Sequence, residues 1–288
     1  MFGIISALGA ASSWTYACYL WRQQTKYFSA AQINITKNII AFIIFFPVIL
    51  TFDFQSSVKD IFILFLSGII GISIGDTFYI ISLKKIGTRR TLTVEALSPI
   101  IATVVGAIFL KEILPFNVWA GVFIVSISLV GVAFQKTINT QHITSNKDRK
   151  EGFMFAILSV LCAVIAAALS RFVLINSDLN PFQTTEVRLL GSIFALLPFL
   201  RKKLTYSVRK IPFKNKLSLL FATFLGTNIG ILLQQNVFKL LPIGLGWTLL
   251  STSPIMALFF ARAEGEELNW KTYVLTATTI LGVGIVFI

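Results

Sequence analysis

The sequence predicts an all-α membrane protein with ten transmembrane helices arranged as two inverted five-helix repeats. Three observations predict this fold class. The 288 residues are 56% hydrophobic and only 13% charged, with a mean hydropathy of +0.82. Apolar runs long enough to form membrane-spanning helices recur along the whole chain. A Ser-Pro motif, followed by an apolar run and an acidic end, occurs twice.

The composition excludes several classes of protein. A soluble domain has about a quarter charged residues, so this chain has too few polar residues to coat a globule, and lipid is its expected solvent. The net charge of +13 does not predict nucleic-acid binding, because the Lys and Arg residues lie in short gaps between apolar runs. The uncharged first 21 residues predict a first span rather than a cleaved leader. Cys18 and Cys162 lie inside apolar runs, which favours packing over a disulfide or metal cluster.

Each predicted span has about 20 mostly apolar residues, enough to cross a hydrocarbon layer of about 30 Å. Helix is preferred to strand because the runs do not alternate and because a helix satisfies its own backbone in lipid. The spans cover about 4–21, 33–51, 61–82, 91–110, 116–134, 153–174, 183–200, 217–238, 244–261 and 270–288. The polar break at 135–151 acts as a linker between a first repeat, 1–134, and a second, 152–288.

The Ser-Pro motif is one part of a longer duplication. The matched positions are Gly71 with Gly226, Gly75 with Gly230, Pro99 with Pro254 and Glu112 with Glu267, all 155 residues apart, and Gln32 with Gln183, Lys37 with Arg188 and Pro47 with Pro198, all 151 apart. A four-residue difference in one loop explains the change of offset. With five spans per repeat, the second repeat enters the membrane from the opposite side. The two repeats are therefore inverted, an architecture that places a shared pocket near the bilayer midplane.

The basic residues predict the orientation. The connections that follow odd-numbered spans hold 19 Lys and Arg residues, and the other connections hold four. Cytoplasmic loops carry the excess of positive charge, so both termini are expected outside the cytoplasm of a multi-pass protein in the inner or plasma membrane.

Ionisable residues inside the spans are candidates for gating or coupling, because a charge at the bilayer centre costs about 3 kcal/mol. They are Lys37, Asp76, Glu95, Arg171, Glu186 and Arg188. The first three lie toward the face with the basic connections and the last three toward the opposite face, as two gates would. Alternatively, Lys37, Arg171, Glu186 and Arg188 extend along the helix to reach the interface. Asp76 is deeper and has a short side chain, which favours a functional role.

Polar and aromatic residues on the spans are the candidate substrate-binding set. They are Trp14, Asp76, Tyr79, Glu95, Asn228, Gln235 and Ser253. Amides equally suit contacts between helices, and aromatic residues equally suit the membrane interface. Pro99 and Pro254 each remove a backbone hydrogen bond inside a span, which predicts helix kinks. The two GxxxG segments serve either close helix packing or a thin cavity wall.

No pattern in the sequence nominates a reaction. His142, the single histidine, lies in the polar break, and there is no phosphate-binding loop, zinc-ligand spacing or nucleophile elbow. We therefore expect no enzymatic activity, no cofactor and no metal site, and the oligomeric state stays open.

As an ordered, duplicated set, these motifs resemble the EamA-like branch of the drug/metabolite transporter superfamily. The resemblance rests on "ALSPIIATVVGAIFLKE" and "STSPIMALFFARAEGEE", on "GIIGISIG" and "FLGTNIG", and on the glycine-bearing last span of each half. It implies a secondary carrier that moves small polar metabolites, often amino acids and often outward, by alternating access. The cavity would be lined by helices 1, 3, 4, 6, 8 and 9, and Asp76 or Glu95 would be the first candidate for a proton or ion site.

Two departures accompany the resemblance. Ile231 and Leu250 stand in the second half where Asp76 and Glu95 stand in the first, so any proton coupling would be asymmetric. The family's ten-helix members usually have both termini in the cytoplasm, whereas the distribution of Lys and Arg residues here predicts both termini outside it. One alternative to a carrier is a membrane-embedded enzyme that acts on lipid-linked substrates. Another is a scaffold that docks partners through the basic stretch 201–216. The simpler interpretation of this stretch is that it binds anionic lipid headgroups.

Overall fold

The computed structural model describes residues 1–51, 57–133, 145–199, 212–261 and 269–286, and every regular element in these ranges is helical. Three features of the sequence lie outside the described residues. They are most of the polar linker, most of the basic stretch, and Glu267, the acidic end of the second Ser-Pro motif.

Fourteen α-helices are present in the described part of the chain. The first half holds α1 (Phe2–Gln24), α2 (Ala30–Phe45), α3 (Val58–Ser67), α4 (Asp76–Ile86), α5 (Thr88–Val94), α6 (Ser98–Phe109) and α7 (Phe116–Ala133). The second half holds α8 (Asn146–Asn176), α9 (Pro181–Leu196), α10 (Phe213–Thr223), α11 (Ile231–Leu240), α12 (Ile243–Leu250), α13 (Ser253–Ala261) and α14 (Trp270–Ile285). Helix α8 begins at Asn146, so the last residues of the polar break form its first turns.

Within the described ranges, five helical segments are long and apolar enough to cross a membrane. They are Val58–Ile86, Thr88–Phe109, Asn146–Asn176, Phe213–Leu240 and Ile243–Phe260. Each of these except Asn146–Asn176 joins two of the helices above through a short irregular stretch. The chain thus has the continuous apolar helices that a lipid environment requires.

The matched glutamines Gln32 and Gln183 have the same structural role. Each forms a capping box at the start of its helix, with Ser29 at the start of α2 and with Asn180 at the start of α9. The side chain of the capping residue accepts from the glutamine N–H, and the glutamine side chain accepts in return from the backbone of the capping residue. At each helix start, two backbone N–H groups that would otherwise be unpaired find an acceptor. This shared role explains why a glutamine occupies the matched positions 32 and 183.

The two GxxxG motifs form π-helical segments at corresponding places. Gly68–Gly75 joins α3 to α4, and Phe224–Gly230 joins α10 to α11. In the first segment, the N–H of Asp76 donates five residues back to the carbonyl of Gly71. Because a π-helical turn bonds each N–H to the carbonyl five residues back, carbonyls of the segment are available to donors on other helices. The amide of Asn34 in α2 donates to the carbonyls of Ile72 and Ser73, at 2.7 and 2.9 Å.

Both Ser-Pro motifs lie where a helix is interrupted and restarts. Pro99 is the second residue of α6, after a 3-10 turn at Glu95–Leu97, and Pro254 is the second residue of α13. Each proline leaves the carbonyl four residues back without its usual donor. The N–H of Ser98 donates to the carbonyl of Glu95. In the second motif the Ser253 hydroxyl donates to the carbonyl of Leu250 at 2.8 Å.

Helices of one half pack on the other half in reciprocal pairs. Helix α1 packs on the π segment 224–230 and on α10 and α11, and α8 packs in the same way on the π segment 68–75 and on α3 and α4. Helix α2 packs on α9, α6 on α12, and α7 on α14.

Matched glycines lie at the two reciprocal crossings. A Cβ added to Gly71 would lie 2.6 Å from the Cβ of Ala166 in α8, and one added to Gly226 would lie 2.5 Å from the Cβ of Ala17 in α1. Real Cβ atoms do not approach so closely, so each crossing needs a residue without a side chain. The two copies of the motif therefore make the same kind of contact with opposite halves.

Candidate functional site

A cavity of about 70 Å³ lies between the two halves of the chain. Residues of α1, both π segments, α4, α8, α9, α11 and α12 form its walls, together with Glu95, Ser251 and the first residue of α13, Ser253. Five of the seven predicted substrate-binding residues line it: Trp14, Asp76, Tyr79, Glu95 and Ser253. The π segments and the break before α13 bring these residues to one place from distant positions in the chain.

An ion pair between Lys37 and Asp76 forms part of the cavity wall. The Lys37 Nζ lies 2.7 Å from Asp76 Oδ2, and the two side chains are 0% and 15% exposed. Lys37 also donates to Asn38 Oδ1 at 2.9 Å and lies 5.4 Å from the centroid of the Trp21 ring. Asp76 is the first residue of α4, directly after the π segment. The buried ammonium group therefore has a carboxylate, an amide oxygen and an aromatic face as partners.

Glu95 lies in the same cavity among aromatic side chains. The Tyr79 hydroxyl donates to Glu95 Oε2 at 3.3 Å, and the Cys18 thiol donates to the Tyr79 oxygen at 3.5 Å. The rings of Trp14 and Tyr79 lie 5.5 Å apart, centroid to centroid. This part of the cavity combines a carboxylate with flat apolar surfaces, which suits a small solute with both polar and apolar parts.

A second ion pair, between Glu112 and Arg171, lies near the C-terminal end of α8. The Arg171 guanidinium donates to Glu112 Oε1 and to the backbone carbonyl of Phe238. Glu112 Oε2 accepts from the backbone N–H of Ile243 at 2.8 Å. The two charged side chains are only 10% and 9% exposed. The loop after α6, the end of α8 and the turn between α11 and α12 are thus tied together.

The comparisons with known proteins place the chain in a family. Residues 1–134 and 150–288 match the EamA-like transporter family. The chain belongs to this family. Together with the apolar helices, this makes it a multi-pass membrane transporter of the drug/metabolite type.

Two further comparisons were made, one with curated protein sequences and one with solved structures. No curated protein matches the sequence of this EamA-like transporter. A solved structure titled "Crystal structure of protein" is similar over 96% of this chain and 95% of its own, with a TM-score of 0.64 and 14% sequence identity. At that identity the likeness extends to the fold of the whole chain and to nothing beyond it.

Two predicted substrate-binding residues lie outside the cavity wall of the EamA-like transporter. Asn228 is buried and its amide donates to the carbonyl of Ala41 at 3.0 Å. Gln235 is buried and its Oε1 accepts from the Ser170 hydroxyl. Gln234, the neighbour of Gln235, lines the cavity in its place.

The predicted gating residues do not form two clusters of three. Lys37, Asp76 and Glu95 lie at or beside the cavity, and Arg171 lies in the ion pair at one end. Arg188 lines the cavity, although the sequence placed it near a membrane face. Glu186 is fully buried, and neither carboxylate oxygen has a hydrogen-bond partner. Among the described residues no group of His, Cys, Asp and Glu could hold a metal ion.

Glu112 is a functional candidate whose sequence position indicates only that it belongs to the repeat. Its signal was the acidic end of the first Ser-Pro motif, which closes the motif at a helix end. Ser159 and Trp247 also line the cavity. Nothing in their local sequence distinguishes them from other small or aromatic residues of the apolar runs.

Replacing Lys37 with methionine should lower the free energy of unfolding by about 2 kcal/mol, because Asp76 then keeps its charge without its partner. The double variant K37M/D76N should recover most of this loss, since both charges are gone. Thermal unfolding of the detergent-solubilised protein measures both effects. Strictly additive losses in the two single variants and the double variant would contradict the proposed interaction.

Proposed function

We propose that the protein is a secondary carrier in the cell membrane that moves a small polar metabolite, an amino acid or a related compound, by alternating access. The family resemblance implies export as the direction. The observation that carries the proposal is the cavity between the two halves, whose wall holds Asp76, Glu95 and Arg188 alongside aromatic rings. Charged side chains are expensive inside a membrane and mark solute or ion pathways.

The reciprocal helix packing supports ten spans in two inverted repeats, 1–134 and 152–288, joined by the linker 135–151. In each repeat the first helix and the π segment pack on the other repeat's counterparts, as α1 and α8 do. Exchange of conformation between two such repeats opens a shared cavity first to one side and then to the other.

Ion pairs at opposite ends of α8 support a gating role for charged residues. Glu112 pairs with Arg171 near one end, and Lys85 pairs with both Asp148 and Glu151 near the other. Asp148 and Arg171 are separated by about 35 Å at the helical rise of 1.5 Å per residue. All three pairs join the first half to α8, so opening either end requires the contacts at that end to separate.

We place proton or ion coupling at Asp76 or Glu95. A proton that binds a carboxylate in the cavity removes its charge and lowers the cost of moving it away from water. Asp76 already has Lys37 as a partner, and protonation would release that contact. Ile231 and Leu250 occupy the matching positions of the second half, so coupling would depend on the first half alone.

Transport by the purified protein in liposomes tests the proposal. The panel consists of radiolabelled amino acids and related metabolites, with and without a proton gradient. We expect gradient-driven accumulation of at least one compound by the wild type. Gradient-driven accumulation should fall at least tenfold in D76N or in E95Q, whichever removes the coupling carboxylate.

The matched control is K147Q, which removes an exposed charge at the start of α8 and should transport normally. Failure of the wild type to move any compound of the panel would count decisively against a carrier.

A further inference from the structure

Arg188 is a buried cation in the cavity wall, and no described residue accepts a hydrogen bond from its guanidinium. It lies in α9 and is 4% exposed. Its Nε and Nη1 atoms are buried without a hydrogen-bond acceptor. A buried charge is normally paired and hydrogen-bonded, because removal from water is costly. An unpaired guanidinium on a cavity therefore indicates a missing anion.

The charge of Asp76 acts on Arg188 from a distance, but no described carboxylate is in direct contact with the guanidinium. Asp76 is held by Lys37 at 2.7 Å. Glu186 lies two positions before Arg188 on the same helix, and side chains two residues apart on a helix do not face each other. Glu95 accepts from the Tyr79 hydroxyl. None of these three forms an ion pair with Arg188 in the described part of the chain.

The repeat explains why no carboxylate lies beside Arg188 at the position where one lies beside Lys37. Arg188 corresponds to Lys37, and both lie in the second span of their repeat. Lys37 pairs with Asp76, the residue that follows the first π segment. Ile231 follows the second π segment at the matching position and also lines the cavity. The first half therefore has a carboxylate at this position, whereas the second half has an apolar residue there.

The glycines of the first π segment let α9 approach closely. A Cβ added to Gly71 would lie 3.3 Å from Arg188 Nη2, and one added to Gly68 would lie 2.0 Å from the Arg188 carbonyl oxygen. The segment thus packs against the backbone of Arg188, and Gly71 places no side chain against its guanidinium. A fixed, planar guanidinium suits two-point binding of a carboxylate.

We propose that Arg188 binds the carboxylate of the transported solute, which takes the place that Asp76 occupies beside Lys37. This rests on the proposed carrier function and narrows it to solutes that bear a carboxylate. Such a group is found in both amino acids and simple carboxylic acids. An amino acid would also bring an ammonium group, for which Glu95 is the available acceptor in the same cavity.

The experiment measures the melting temperature of the solubilised protein with the twenty amino acids, their carboxamides and the corresponding deaminated acids. A ligand that binds the folded form raises this temperature. We expect shifts from carboxylate-bearing members and none from the matched carboxamides. In R188M, the affinity for those members should fall at least tenfold. The ligand-free melting temperature should equal or exceed that of the wild type, because an unpaired charge is gone.

The position of Ile231 provides a second test that keeps Arg188 intact. I231D supplies the carboxylate that the repeat lacks, so it should occupy Arg188 and abolish the shift, whereas I231N should preserve it. E95Q should weaken binding of an amino acid but not of its deaminated acid, if the ammonium group binds Glu95.

Carboxamides that bind as well as acids, or a carboxylate-dependent shift that survives in R188M or I231D, would overturn the assignment of Arg188 and leave the carrier standing. Absence of any shift and of any transport across the whole panel would overturn both.

Discussion

Replacing Glu112 with alanine is expected to lower the free energy of unfolding by about 3–5 kcal/mol, the usual cost of breaking a buried ion pair from one side. The substitution leaves Arg171 only 10% exposed, with its carboxylate partner gone. It also removes the acceptor for the Ile243 N–H. The loop after α6, the end of α8 and the turn between α11 and α12 therefore lose the carboxylate that joins them.

Denaturation of the detergent-solubilised protein, followed by tryptophan fluorescence, measures this loss. E112Q separates the two contributions, since glutamine keeps an acceptor for Ile243 but lacks the charge. The matched control is K85A, because Lys85 is 23% exposed and its partners Asp148 and Glu151 are 46% and 36% exposed. Exposed ion pairs contribute at most about 1 kcal/mol. Equal losses in E112A and K85A would refute the special role of the buried pair.

The second large effect is expected at Gly68, where alanine should cost about 3 kcal/mol, the upper part of the range for overpacked interiors. Its Cβ would lie 2.0 Å from the carbonyl oxygen of Arg188 and 2.7 Å from the Arg188 Cα. These are backbone atoms, so no side-chain rotation relieves the clash. Segment 68–75 and α9 must move apart, and the cavity wall moves with them.

G284A is the control for this prediction. Gly284 lies in α14, and an added Cβ there meets nothing within 4 Å. Alanine also has a higher helix propensity than glycine, so G284A should be neutral or stabilising. Parallel measurements of melting temperature and of solute affinity decide the matter, because G68A should lower both. If G68A had the melting temperature and solute affinity of the wild type, the close contact between segment 68–75 and α9 would be refuted.

The repeat and the helical content could be predicted because both depend on local chemistry. A capping box needs only Ser29 or Asn180 three positions before a glutamine, and a proline interrupts a helix wherever it stands. Membership of the family followed from the ordered set of such signals. Five predicted substrate-binding residues also reach the cavity, because the charged and aromatic types among them are unusual inside apolar helices.

The roles of the amides could not be predicted in the same way. Gln234 and Gln235 are adjacent, so they point to different sides of α11, and the π turn before them shifts the helical phase. Only the tertiary structure tells which of the two meets the cavity. The same reason applies to Arg188. Its depth along the span can be estimated from the sequence, but the contact between α9 and Gly71 is visible only in the tertiary structure.

The exchange of partners between the halves has a consequence for biosynthesis. Helix α1 is synthesised long before the π segment on which it packs, which spans residues 224–230. Until the ribosome has made that segment, Thr15 and the other buried polar groups of α1 face lipid or a chaperone. Such long-range contacts slow folding, so the nascent first helix should be a target for membrane quality control for most of the time that translation takes.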